Sequence, residues 1–134
     1  MILKNDTLVA VTDGERLRLF KSKGHEPHLE LIEMDGPAMD RIHAGSGGRH
    51  RSSTAKPDDA RLREDDFAGS VAAYLNDQAA EPTYEHLLVI ADRRTLGELR
   101  KHYQPVLIAK LAGEVGKDFV KQSVESIKNA IAAS

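Results

Sequence analysis

The chain opens on an apolar, β-branched run, "TLVAVT" (Thr7–Thr12), that reads as a strand. Asp13-Gly14 follows, and "RLRLF" then alternates, with Leu17 and Leu19 on one face and Arg16 and Arg18 on the other. Two strand-like runs around an Asp-Gly pair predict a hairpin in which Gly14 takes the positive φ of a tight turn. "SKGHEP" is a second turn signal, and "HLELIEM" (His28–Met34) alternates through Leu29 and Leu31, giving a third strand and a meander. From Asp35 to Glu64 the periodicity stops, punctuated by Gly36, Pro37, Gly45, Gly47, Gly48 and Pro57. A helix follows: Phe67, Val71, Tyr74 and Leu75 recur at helical spacing, with Asp65 and Asp66 in its first turn, and it fades by Asp77. "HLLVIAD" (His86–Asp92) is nearly continuous in apolar residues, the mark of a strand buried on both faces. Thr95-Leu96-Gly97-Glu98 reads as a capping box that starts a short helix to about Tyr103, with Leu96 and Leu99 inward. "PVLIAKLAGEV" fits a strand through Leu107, Ala109, Leu111 and Val115, and a helix nearly as well; Pro105 and the flanking glycines favour the strand. Val120, Val124, Ile127 and Ile131 form the stripe of a last helix.

The order β-β-β, long loop, α-β-α-β-α predicts an α/β fold of the mixed α+β kind. It has about five strands, an antiparallel N-terminal meander, a parallel pair joined by a crossover, and three helices. The length, 134 residues, favours a single domain spanning 1–134 with the loop 35–64 inside it. Hydrophobic residues at 40% and charged residues at 30% fit a globular chain. The absence of cysteine excludes disulfides, thiolate metal sites and a thiol nucleophile. No apolar stretch approaches the ~20 residues of a membrane span, and the N-terminus lacks the pattern of a secretory leader. The expectation is a cytoplasmic protein with no membrane partner.

Charge changes the picture at one place. The net charge is −2, yet the stretch Arg41–Arg63 holds Arg41, Arg49, Arg51, Lys56, Arg61 and Arg63 against only Asp58 and Asp59. Its centre, "HAGSGGRHRSSTAKP" (His43–Pro57), is a glycine-tipped basic loop. Gly45, Gly47, Gly48, Arg49, His50, Arg51 and Lys56 are the candidate RNA-binding residues, because glycines bring backbone N–H groups close to a phosphate and arginines clamp it. A solvated connector is the plain alternative. Arg93, Arg94, Arg100 and Lys101 around the short helix form a candidate second basic surface, against a merely solvated helix face. Asp13, Asp92 and Asp118 fall at predicted strand ends, but turn and cap roles explain the first two, so no metal and no other cofactor is expected. His25 and His28 lie three apart at the start of a strand, on opposite faces. Ser46, Ser52 and Ser53 near His43 and His50 lack a nucleophile elbow, and no catalytic residue is assigned.

"LVAVTDGERLRLF", "GGRHRSS", "FAGSVAAYLN", "LLVIADRRTLGELRKHY" and "EVGKDF" together resemble the bacterial host attachment protein family across essentially the whole chain. That family is similar in turn to the middle, catalytic domain of archaeal and eukaryotic class-1 translation release factors. In those factors a Gly-Gly-Gln loop enters the peptidyl-transferase centre and promotes hydrolysis of peptidyl-tRNA. The resemblance implies a ribosome- or structured-RNA-associated protein of translation, with Gly47-Gly48-Arg49 in the loop's place. Arginine offers only donors and a fixed charge, where glutamine offers donor and acceptor. A non-catalytic or weakly catalytic, phosphate-gripping factor is therefore expected. The alternatives are a protein-interaction factor acting in attachment or stress physiology, and a peptidyl-tRNA ester hydrolase. The oligomeric state is left open.

Overall fold

The computed structural model describes residues 3–24, 29–37, 57–81 and 83–134. Its elements are β1 (Leu8–Thr12), β2 (Leu17–Lys23), β3 (Glu30–Met34), α1 (Pro57–Ala80), β4 (Leu87–Ala91), α2 (Arg93–Arg100), α3 (Pro105–Lys110), β5 (Leu111–Val115) and α4 (Val124–Ala133). The strands form one mixed sheet in the order β3-β2-β1-β4-β5. β1 pairs antiparallel with β2 and parallel with β4, β2 pairs antiparallel with β3, and β4 pairs parallel with β5. The expected mixed sheet, antiparallel meander and parallel pair are all present.

The two central strands explain why the sheet needs cover on both sides. Every residue of β1 and of β4 is buried. Successive side chains of a strand point to opposite faces, so Leu8, Ala10, Leu87, Val89 and Ala91 enter one core and Val9, Val11, Leu88 and Ile90 the other. The first core is closed by α1, α2 and α3 through Phe67, Val71, Leu75, Leu96, Leu99 and Leu107. The second is closed by α4 and the segment before it, through Val120, Ile127 and Ile131, which meet Phe20 of β2. Truncating any of these fully buried leucines or isoleucines to alanine falls in the range of about 2–5 kcal/mol.

Four helices are described where the sequence pattern gave three, and each difference has a local cause. "PVLIAKLAGEV" is neither all strand nor all helix. Pro105 opens α3, where its fixed φ suits the first turn and its missing N–H costs nothing. The chain then enters β5 directly at Leu111. A bulge between Leu87 and Leu88 absorbs the join, leaving Leu111 opposite Leu87 and Gly113 opposite Leu88. Leu107 is buried as expected, but Ala109, expected inward, is exposed. Lys110 fastens the turn by donating to the carbonyls of Ala79 and Tyr84, both at 3.0 Å, at the end of α1. The helix after β4 is capped three residues before the expected box starts at Thr95. Asp92 is the N-cap and accepts from the Thr95 N–H at 3.1 Å, so Thr95 is a buried third residue of the helix. α1 also begins at Pro57, well before the expected end of the loop at Glu64, and continues to Ala80 instead of fading at Asp77.

Two polar side chains stitch elements that hydrophobic contact alone would leave loose. Asn76 of α1, 5% exposed, donates to the His102 carbonyl at 2.8 Å and accepts from the Gln104 N–H at 3.0 Å. It thereby fixes the α2–α3 connection. Arg18 of β2 forks onto Glu33 of β3 with two contacts of 2.9 Å, and donates to the carbonyls of Val120 and Gln122 at 3.1 and 2.7 Å. Its guanidinium stands 5.1 Å from the centre of the Phe20 ring, a cation–π distance.

Replacing Asn76 with alanine leaves one carbonyl and one N–H without their partner and is expected to cost about 2 kcal/mol, read as a lower midpoint in urea unfolding. The hydrogen bond and charge of Arg18 hold the Glu33 carboxyl below its usual value of 4.5. A carboxyl depressed in the folded state stabilises above its unfolded value and loses that contribution as pH falls through the folded one. Stability is therefore expected to drop below about pH 4.5, and Arg18→Ala should flatten that part of the profile in a pH series of thermal melts.

Candidate functional site

The strand directions define one functional edge. β1, β4 and β5 are parallel, and β3, twice reversed, runs the same way as β1. Their carboxyl ends therefore share one edge of the sheet, where ligands of open α/β sheets ordinarily bind. That edge carries the Asp13–Arg16 connection after β1, the Asp92-Arg93-Arg94 start of α2 after β4, and Gly116-Lys117-Asp118 after β5.

The β1–β2 connection is not the tight turn with positive φ at Gly14 that the Asp-Gly pair predicted. Four residues, Asp13 to Arg16, separate the strands, and Asp13 Oδ1 accepts from the N–H groups of Glu15 and Arg16, both at 2.8 Å. Thr12, fully buried, adds a bond from its hydroxyl to the Arg16 carbonyl at 2.8 Å. Among the described residues only Asp6 and Gly24 have positive φ, so Gly14 does not serve the backbone in the way its Asp-Gly context suggested. Its role is space. A Cβ at Gly14 would lie 2.7 Å from Glu64 Cγ and 2.9 Å from Glu64 Cβ of α1. The missing side chain lets α1 cross the turn at contact distance.

The candidate loop residues Gly45, Gly47, Gly48, Arg49, His50, Arg51 and Lys56 lie outside the described residues, as do His25, His28, His43, Ser46, Ser52 and Ser53. Their flanks are described. The connection departs from the carboxyl end of β3 at Pro37 and is received by the amino end of α1 at Pro57. Pro57 lies seven residues before Glu64, about 10 Å of helix beyond the Gly14 contact.

The second basic group is divided by the fold. Arg93 and Arg94 stand at one end of α2 and Arg100 and Lys101 at the other, about 12 Å apart along the helix. Arg94 forks onto Glu64 at 2.6 Å and Asp65 at 2.9 Å, bridging α2 to α1. Arg100 meets Glu114 of β5 at 2.7 Å, and Lys101 meets Glu98 at 3.1 Å. Arg93 is exposed beside Gly116, whose added Cβ would come 3.4 Å from Arg93 Cγ. Behind the Arg100–Glu114 pair, the Tyr103 hydroxyl is buried with no hydrogen-bond partner among the described residues. Burial first, and the Glu114 charge second, push its ionisation well above the ordinary phenol range.

Asp13, Asp92 and Asp118 do not converge on one another, and no group of three or more His, Asp or Glu side chains among the described residues is arranged to hold a metal. A polar cleft of about 200 Å³ lies elsewhere, on the flank of α1, lined by Gly69, Ala73, Asn76, Asp77, His102 and Gln104. It contains none of the candidate residues. No helix among the described residues is long and apolar enough to cross a membrane.

The sequence that builds this fold is matched, over residues 6–131, by the family model of the bacterial archaeo-eukaryotic release factor family 12. The chain belongs to that family. No curated protein matches it. In this family 12 chain, Gly14, Glu64 and Asp65 are edge residues that the sequence reading missed as a set. Glu64 and Arg94 are 30 positions apart in different helices, and no local pattern links them.

Two glycines, one crowded and one in open space, predict opposite effects. Gly14→Ala is expected to destabilise by about 1–3 kcal/mol, since Glu64 must be pushed aside. Gly97, in the middle of α2 with nothing within 4 Å of an added Cβ, is expected to gain about 1 kcal/mol on Gly97→Ala. Chemical denaturation of both variants checks the pair.

Proposed function

We propose that this family 12 protein is a translation-related factor that associates with the ribosome or with structured RNA, gripping phosphates through the loop Gly45–Lys56. The observation that carries this reading is the family match over residues 6–131, a family of release-factor kind. Two further features support it: the loop's described flanks stand at the carboxyl edge of the sheet, and the resemblance to the release-factor middle domain implies Gly47-Gly48-Arg49 in the place of its Gly-Gly-Gln. Arg49 and Arg51 supply charge and forked donors to phosphate oxygens, and Gly47 and Gly48 admit close approach of the backbone. With no acceptor on Arg49 to orient a water, the loop holds and does not hydrolyse. The cytoplasm is the compartment in which such a factor works.

Ribosomes pelleted from lysate at low salt are expected to carry the protein with them. Arg49→Ala with Arg51→Ala should lower the bound fraction and reduce the slope of log affinity against log salt by about one per lost phosphate contact. A protein that stays wholly in the supernatant at every salt concentration overturns the reading. Protein partners recovered after nuclease treatment, and indifferent to both arginines, would replace it with an interaction factor that uses no RNA.

A further inference from the structure

The first turns of α1 are unlike the rest of the helix. From Arg61 to Asp66 no side chain is buried, and Leu62 is 50% exposed; burial begins at Phe67. The six residues Arg61–Asp66, about 9 Å of helix, thus bring no buried side chain to the body before Phe67. A helix that buries no face is marginal by itself and takes its direction from whatever holds it. Two close contacts tie Arg61–Asp66 to the body. One is the passage of Glu64 over Gly14. The other is the fork of Arg94 onto Glu64 and Asp65 at 2.6 and 2.9 Å.

From this we propose that Arg94 is a positioning residue: with Glu64 and Asp65 it clamps the amino-terminal stalk of α1 and so aims the connection that the stalk receives at Pro57. The inference rests on the functional reading of that connection given above. It also reassigns Arg94, which the charge pattern alone groups with phosphate-contacting cations. Its guanidinium is already shared between two carboxylates on another helix, and each side chain of the trio is 36–41% exposed. The clamp is therefore exposed and weak per contact, enough to bias the direction of an otherwise unburied stalk and not enough to carry the fold. Arg93, next along the chain, has no carboxylate partner among the described residues and serves as the contrast.

The test is Glu64→Gln with Asp65→Asn, which removes the clamp while making the surface more positive. A positioning role predicts two results. Amide hydrogen exchange at residues 61–66 should speed up by about threefold to tenfold while residues 71–79 keep their rates, and ribosome binding should fall by a similar factor although two negative charges have gone. Arg94→Ala should reproduce both effects, and Arg93→Ala should leave the exchange rates unchanged. Unchanged exchange at 61–66 overturns the clamp. Tighter ribosome binding by Glu64→Gln with Asp65→Asn also overturns it, since that is what release of a phosphate-contacting Arg94 would give. If the unaltered protein does not bind ribosomes at all, the functional reading fails, and the exchange measurement alone then decides the clamp.

Discussion

The constraint on which the molecule depends is the parallel pairing of β1 with β4, two five-residue strands buried on both faces. Leu8 lies opposite Leu87 and the register continues without a break to Thr12 opposite Ala91. A pair with no solvent face cannot be stable until helices cover both sides. One cover is built from α1, α2 and α3 and the other from α4 with its approach segment. The parallel sense also forces a long return from the end of β1 to the start of β4. That return is filled by the meander, the connection after β3 and α1.

Polar groups at the rims set how these layers meet. Thr7 and Ser22, fully buried, are bonded to each other's strand and to the Lys4 carbonyl, which closes the amino end of the β1–β2 pair. Tyr84 donates to the Leu75 carbonyl at 2.9 Å, and burial pushes its hydroxyl up to about 12. Lys110 covers the same corner. The amino edge of the sheet is thus sealed by satisfied hydrogen bonds. The carboxyl edge is different: its turns expose arginines, lysines and acids, and it holds the flanks of the basic connection. A rigid, closed edge opposite a charged, open one is the arrangement expected of a scaffold that presents a loop.

Much of the candidate site was legible as composition and little of it as arrangement. The Gly-Gly-Arg segment, the Asp-Gly pair and the basic run at Arg93 and Arg94 are visible in the chain. That Gly14 is needed for the passage of Glu64, and that Arg94 is committed to Glu64 and Asp65, are not. Ion pairs between helices depend on how two amphipathic faces dock, and sequence spacing carries no record of that distance. The early turns of α1 escaped for a related reason. Arg61–Asp66 bury no side chain, so they leave no apolar stripe to read, and only Pro57, well suited to a helix start, marked the place.

What the sequence by itself determined is the set of elements whose periodicity is imposed by burial: the two-sided strands β1 and β4, the alternating β2 and β3, and the Phe67 and Ile127 faces of α1 and α4. Their apolar residues must leave water in one geometry or another, and the spacing states which. The tertiary structure decided the rest. It split "PVLIAKLAGEV" into helix and strand, because only the partner strand β4 and the tether at Lys110 distinguish two geometries that the residues fit equally. It also sorted the cations of the carboxyl edge into those that pair with carboxylates of neighbouring elements and those left exposed, because charge is read from the chain but distance is not.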